Sequence, residues 1–171
     1  MKKGTSALAL AIVVAVAGCG FAADTPKAPG VGDQIVDFQL KSVDGKDVKT
    51  ADLRKDKVLL LKFGATWCGW CNKQIPHLNK VVKEYAGKVA VLDVDVREPA
   101  DKVKEHNQKN STTYTTVLDP DGKAAGKYGV RGIPVVIVAG KDGKIAYSGY
   151  YTDFEKLKVV IDVLLKEPEP K

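Results

Sequence analysis

The chain has three cysteines, and two of them lie two residues apart in Trp67-Cys68-Gly69-Trp70-Cys71. A thiolate attacks disulfide sulfur, and a second thiol nearby can resolve the mixed disulfide that forms, so this spacing suits reversible disulfide exchange. The motif stands where an apolar run, Val58 to Phe63, gives way to a helical pattern with Ile75, Leu78, Val82 and Tyr85 at three- and four-residue steps. A cysteine at the first turn of a helix meets unpaired backbone N–H groups and the positive end of the helix dipole, which both favour its thiolate. Cys68 is therefore the expected attacking thiol, and Cys71, one turn deeper, the resolving one.

Other uses of a CxxC pair make further demands. Covalent haem attachment needs a His after the second cysteine, and Asn72 stands there. A zinc site needs more ligands; there is no second cysteine pair, and His77 and His106 read as surface residues. Soft thiolates also bind Cu(I), so a copper-carrying or redox-inert binding module stays open as an alternative. A purely structural bridge would close a very small loop and constrain little. No metal is expected at the site, and disulfide exchange needs no cofactor.

The elements around the motif form one domain. The chain has 171 residues, 44% of them apolar, enough for one compact core. Its net charge of +6 comes from lysines scattered among acidic residues, a solvated surface rather than the basic stripe of a nucleic-acid binder. Residues 1–18 read as a signal peptide: Lys2 and Lys3, an apolar stretch from Ala7 to Ala17, then Gly18-Cys19. The apolar stretch is about half of what a membrane-spanning helix needs. Residues 19–30 are small, polar and Pro-rich, as in a flexible tether, and 167–171 as a frayed tail leave 31–166 as the domain. One cysteine pair in an oxidising compartment points to a redox centre rather than a staple.

Within the domain, Phe38 to Val48 reads as a hairpin turning at Asp44-Gly45. Val58 to Phe63 and Val89 to Val94 are buried strands flanking the helix, and a weaker helix surrounds Val103. Thr116 to Leu118 is a short strand, Pro134 to Ala139 and Lys144 to Ser148 a second hairpin, and Phe154 to Leu164 a last amphipathic helix. The alternation argues for an α/β fold with a mixed sheet covered by helices on both faces.

The stretch Val58 to Cys71, with Pro76 beyond it and Gly132-Ile133-Pro134 later, resembles the thioredoxin superfamily over the whole domain, in particular its TlpA/ResA branch. The resemblance implies a three-layer thioredoxin-like fold with an N-terminal hairpin, and a cis Pro134 beside the disulfide. It implies backbone hydrogen bonds from Ile133 to an extended substrate segment, with Trp67, Gly69 and Trp70 as the rest of the substrate surface. Copper carriers of this fold usually show CxxxC and a distal His, and thioredoxin-fold peroxidases a Pro-x-x-x-Thr-x-x-Cys context; the chain has neither. Val16-Ala17-Gly18-Cys19 resembles a lipobox, which implies lipidation at Cys19 and a lipoprotein tethered in the periplasm or at the cell surface. This branch also implies an enzyme that reduces disulfides of protein substrates, including those of cytochrome c maturation, and is recharged by a membrane thiol donor of the DsbD/CcdA type.

The chain departs from the branch at Gly69-Trp70, where a proline before the second cysteine is usual, and at Lys62, where the superfamily carries Asp or Asn. By the resemblance Lys62 faces the cavity beneath Cys71 and Glu98 lies near it. A cation and a carboxylate flanking the resolving thiol would handle its proton, Lys62 favouring the thiolate and Glu98 opposing it.

Overall fold

The computed structural model describes residues 27–166. The signal peptide, Cys19, the first part of the tether and the tail all lie outside the described residues. The chain runs β1 (Gln39–Ser42), β2 (Asp47–Lys49), α1 (Thr50–Leu53), β3 (Val58–Gly64), α2 (Gly69–Glu84), β4 (Val89–Val96), α3 (Ala100–Lys109), β5 (Thr115–Asp119), α4 (Lys123–Lys127), β6 (Val135–Ala139), β7 (Ile145–Gly149) and α5 (Phe154–Lys166). The short α1 and α4 carry too little periodicity to be read from sequence. Residues 28–30, assigned to the tether by composition, are half-buried, and a side chain on Gly129 would collide with Ala28.

One seven-stranded sheet has the order β2-β1-β5-β4-β3-β6-β7. Strands β3, β4 and β5 pair in parallel, while the flanking pairs are antiparallel. The uninterrupted apolar run of β3 follows from this central place, with all seven residues buried. Alternate residues face opposite ways. Leu59, Leu61 and Phe63 join the core on the side of α4, with Val117, Ala124 and Ile137. Val58 and Leu60 join the opposite core, with Leu78 and Val81 of α2 and Leu157 and Ile161 of α5. Full burial of each such side chain contributes roughly 1.5–3 kcal/mol, which fixes the register of β3. That register also decides where Lys62 goes: two residues beyond Leu60, it must point toward α2 and α5, the side on which Cys71 is buried.

Candidate active site

The last residues of β3 and the start of α2 hold the cysteine pair. Cys68 is the N-cap of α2, in extended backbone, and its Sγ accepts a hydrogen bond from the Cys71 N–H at 3.2 Å. The two form a disulfide with Cα atoms 5.1 Å apart. Cys68 is 7% exposed and Cys71 1%, so an incoming thiolate reaches the sulfur of Cys68 first. Ile133 precedes a cis peptide bond to Pro134, and its carbonyl oxygen lies 3.7 Å from Cys68 Sγ. Pro134 is buried against the site, while Trp67 and Trp70 are largely exposed and a side chain on Gly69 would meet nothing.

A small aromatic platform continues outward from Trp70. The ring of Tyr151 tilts against Trp70 with centroids 5.3 Å apart, Lys73 Nζ sits 4.2 Å over the Trp70 ring, and Tyr150 is exposed beside Tyr151. His77 supports Tyr151. The backbone N–H of Phe154 donates to His77 Nδ1 (3.1 Å), so Nε2 carries the ring proton and donates it to Tyr151 Oη (2.8 Å). His77 and His106 are therefore half-buried residues with partners rather than plain surface residues. His106 Nε2 meets Asn72 Oδ1 at 2.9 Å, and the Asn72 amide donates to the carbonyl of Thr66. Long-range side-chain pairing of this kind leaves no mark on sequence periodicity.

Beneath Cys71 lies a buried polar layer. A Cβ on Gly64 would fall 2.7 Å from Lys62 Nζ and 3.1 Å from Cys71 Sγ, so the ammonium and the sulfur border the same space left by that glycine. Lys62 donates to Asp93 Oδ2 at 3.0 Å, and Oδ1, 2.8 Å from the same nitrogen, has no further partner. Both residues are almost fully buried. Asp95, paired with Gly64 across β3 and β4, shares this face and leaves its Oδ1 unpartnered. Glu98 accepts from the backbone N–H and hydroxyl of Thr66 and from Lys102, so it is engaged chiefly in holding the turn before Cys68. The Gln74 side chain, fully buried, bonds the backbone N–H and carbonyl of Thr152 and ties α2 to the loop before α5. Among the described residues no group of three or more His, Cys, Asp or Glu is arranged to hold a metal.

With this geometry in view, the sequence model described as the AhpC/TSA family matches residues 31–148. The chain belongs to the AhpC/TSA family. It is 29% identical over 153 residues to the thiol-disulfide oxidoreductase ResA of Bacillus thuringiensis, covering 85% of this chain and 87% of that one. Two solved structures superpose well. A Bacteroides thetaiotaomicron protein, provisionally named a protein disulfide isomerase, gives a TM-score of 0.73 at 31% identity over 81% of this chain and 92% of its own. A Chlorobium tepidum protein, provisionally named the thiol:disulfide interchange protein DsbE, gives 0.74 at 27% over 81% and 99%. This member of the family is a thiol–disulfide oxidoreductase with a thioredoxin-like fold.

In this oxidoreductase the buried carboxyl groups differ in charge. Burial, then the negative charges of Glu98 and Asp93, pushes the Asp95 carboxyl up to about 8. Burial also opposes ionisation of Glu98, but the hydrogen bonds from Lys102 and Thr66 outweigh it and hold that carboxyl below its usual range. Sequence reasoning singled out Lys62 and Glu98 and passed over Asp93 and Asp95. A signal for them existed: Val-Ala-Val-Leu-Asp-Val-Asp-Val carries two acids at an interval of two in an otherwise apolar strand. Acids so placed share one buried face and need a cation there.

Proposed function

We propose that this oxidoreductase is a lipid-tethered reductant of protein disulfides outside the cytoplasm. Cys68 at the mouth of the site, at the N-cap of α2 and beside Ile133, carries the reading. The lipobox-like Val16-Ala17-Gly18-Cys19 supports the tether, and resemblance to the TlpA/ResA branch supports the reductive direction. No helix among the described residues is long and apolar enough to cross a membrane.

The reaction starts from the dithiol. The Cys68 thiolate attacks one sulfur of a substrate disulfide, the substrate S–S bond breaks, and the departing thiolate takes a proton. Cys71 then loses its proton and attacks Cys68 Sγ, which releases the second substrate thiol and leaves the Cys68–Cys71 disulfide. Two electrons and two protons pass to the substrate. A membrane thiol donor of the DsbD/CcdA type, itself oxidised, restores the dithiol. Trp67, Gly69 and Trp70 provide the contact surface, and Ile133, before Pro134, offers backbone hydrogen bonds to an extended segment.

Proton handling at Cys71 belongs in this proposal to the buried layer as a whole. Lys62 favours the Cys71 thiolate, while the Glu98 carboxylate, and Asp95 when ionised, oppose it; the Glu98 charge also raises Asp95. In the reduced protein, Lys62→Met should raise the Cys71 pKa and Asp95→Asn lower it, each read by pH-dependent alkylation; movements below about half a unit would remove this assignment. The function itself is tested by insulin reduction, which Cys68→Ser should abolish, and by the reduction potential. A value near about −270 mV fits a reductant, and one near about −120 mV an oxidant. Cys19→Ser should release the protein from membranes of its host; unchanged fractionation would end the tether proposal.

A further inference from the structure

A groove of about 610 Å³ opens beside Cys68. Its floor is apolar, with Ala65 and Ala125 buried and Val96 and Val130 half-buried, and it shares Trp67 and Ile133 with the redox site. Two exposed arginines, Arg97 and Arg131, line it. Neither makes an ion pair or a side-chain hydrogen bond among the described residues. The acids around the groove are already engaged: Asp119 accepts from the N–H groups of Ala124 and Ala125, Asp121 pairs with Lys123, and Glu98 with Lys102. The groove therefore presents two cations without an ion-pair partner among the described residues, next to an attacking sulfur.

Arg97 is placed there by its backbone rather than left as a free surface charge. Its φ of 62° is in the left-handed region, uncommon for a residue with a side chain, and its N–H donates to the carbonyl of Asp119 at 3.0 Å. Its guanidinium lies against Gly122, where a Cβ would fall 2.9 Å from Nε and 3.0 Å from Nη2. A Cβ there would push the guanidinium away, and the positive φ of 72° at Gly122 favours glycine independently. A planar, weakly hydrated guanidinium laid against backbone suits recognition of a carboxylate.

We propose that this groove is a specificity subsite for protein substrates, taking an acidic side chain within a few residues of the target cysteine while apolar neighbours cover its floor. The occupant is an extended polypeptide segment, because the groove is continuous with Ile133 and Trp67, which flank Cys68, and because its charge is complementary. The proposal rests on the disulfide-reducing reading above and deepens it.

The test uses the full-length reduced protein with three disulfide-linked peptides, identical except for acidic, neutral or basic residues beside the cysteine, and with neutral hydroxyethyl disulfide and oxidised glutathione. The acidic peptide should react roughly threefold to tenfold faster than the neutral one, as expected for one or two exposed ion pairs. That advantage should shrink with added salt. It should reverse in favour of the basic peptide in Arg97→Glu with Arg131→Glu, and persist in the double Lys variant. Should the Glu variant fail to fold, the salt series on the unaltered protein and Arg131→Glu alone carry the same comparison. Equal rates for the three peptides at low salt, with hydroxyethyl disulfide still reduced, would overturn the subsite and leave the reductase reading intact. Reduction of no disulfide at all would overturn both. A gain for oxidised glutathione equal to that for the acidic peptide would overturn the polypeptide occupant in favour of small carboxylate disulfides.

Discussion

The two cysteines face two different environments. Outward from Cys68, Trp67, Trp70, Tyr150, Arg97 and Arg131 are exposed and lie on loops or the first turn of a helix. Inward from Cys71, Lys62, Asp93 and Asp95 are buried on the two central strands. The polar groups outside are solvated, cost little to keep, and act through whatever they touch. Those inside have lost their water, so each depends on its neighbours for its charge and its stability. The outer region should therefore change rates with little effect on folding, and the inner region should change folding and proton affinity together.

Breaking the inner pair gives the largest expected effect. Lys62→Met strands the Asp93 carboxylate and should cost about 3–5 kcal/mol in urea unfolding, while adding Asp93→Leu should recover most of that loss. A Lys62→Met variant as stable as the unaltered protein would show that the layer is wetter than its burial implies. Glu98→Gln comes next: it weakens the acceptor for Thr66 and Lys102 and should cost about 1.5–3 kcal/mol.

Asp95 separates the regions by pH. Its folded-state pKa of about 8 stands above the ordinary 3.8, so between these values the folded protein keeps a proton that the unfolded chain has lost. Stability falls as pH rises through that window, because the slope follows the protons bound unfolded minus folded. Asp95→Asn removes this dependence. From pH 5 to pH 9 it should gain on the unaltered protein by at least about 1.4 kcal/mol, the equivalent of one pKa unit. Parallel pH–stability curves for the two proteins would count against a raised Asp95. The smallest effect on folding belongs to Trp70→Ala, which should stay within about 0.5 kcal/mol in stability. It should still slow reduction of a protein disulfide by roughly threefold to tenfold, as for loss of an aromatic contact worth about 1 kcal/mol.

Much of this architecture was legible in the sequence, because it depends on neighbours along the chain. Apolar runs marked β3 and β4, the three- and four-residue steps of Ile75, Leu78 and Val82 marked α2, and Asp44-Gly45 and Lys141-Asp142-Gly143 marked the hairpin turns. The placement of Cys68 between a buried strand and a helix start followed from the same local signals, and with it the redox chemistry. What only the tertiary structure decided is which distant residues meet. Lys62 and Asp93 are 31 residues apart and become partners through the register of two parallel strands. Tyr151 reaches Trp70 because α5 packs on α2, and Arg97 and Arg131 line one groove because the loops after β4 and before β6 end on the same side of the sheet. Side-chain periodicity records which face of an element is buried, but it does not record what stands across that face. A buried charge can be noticed in a sequence, while its partner, and therefore its proton, is settled by packing.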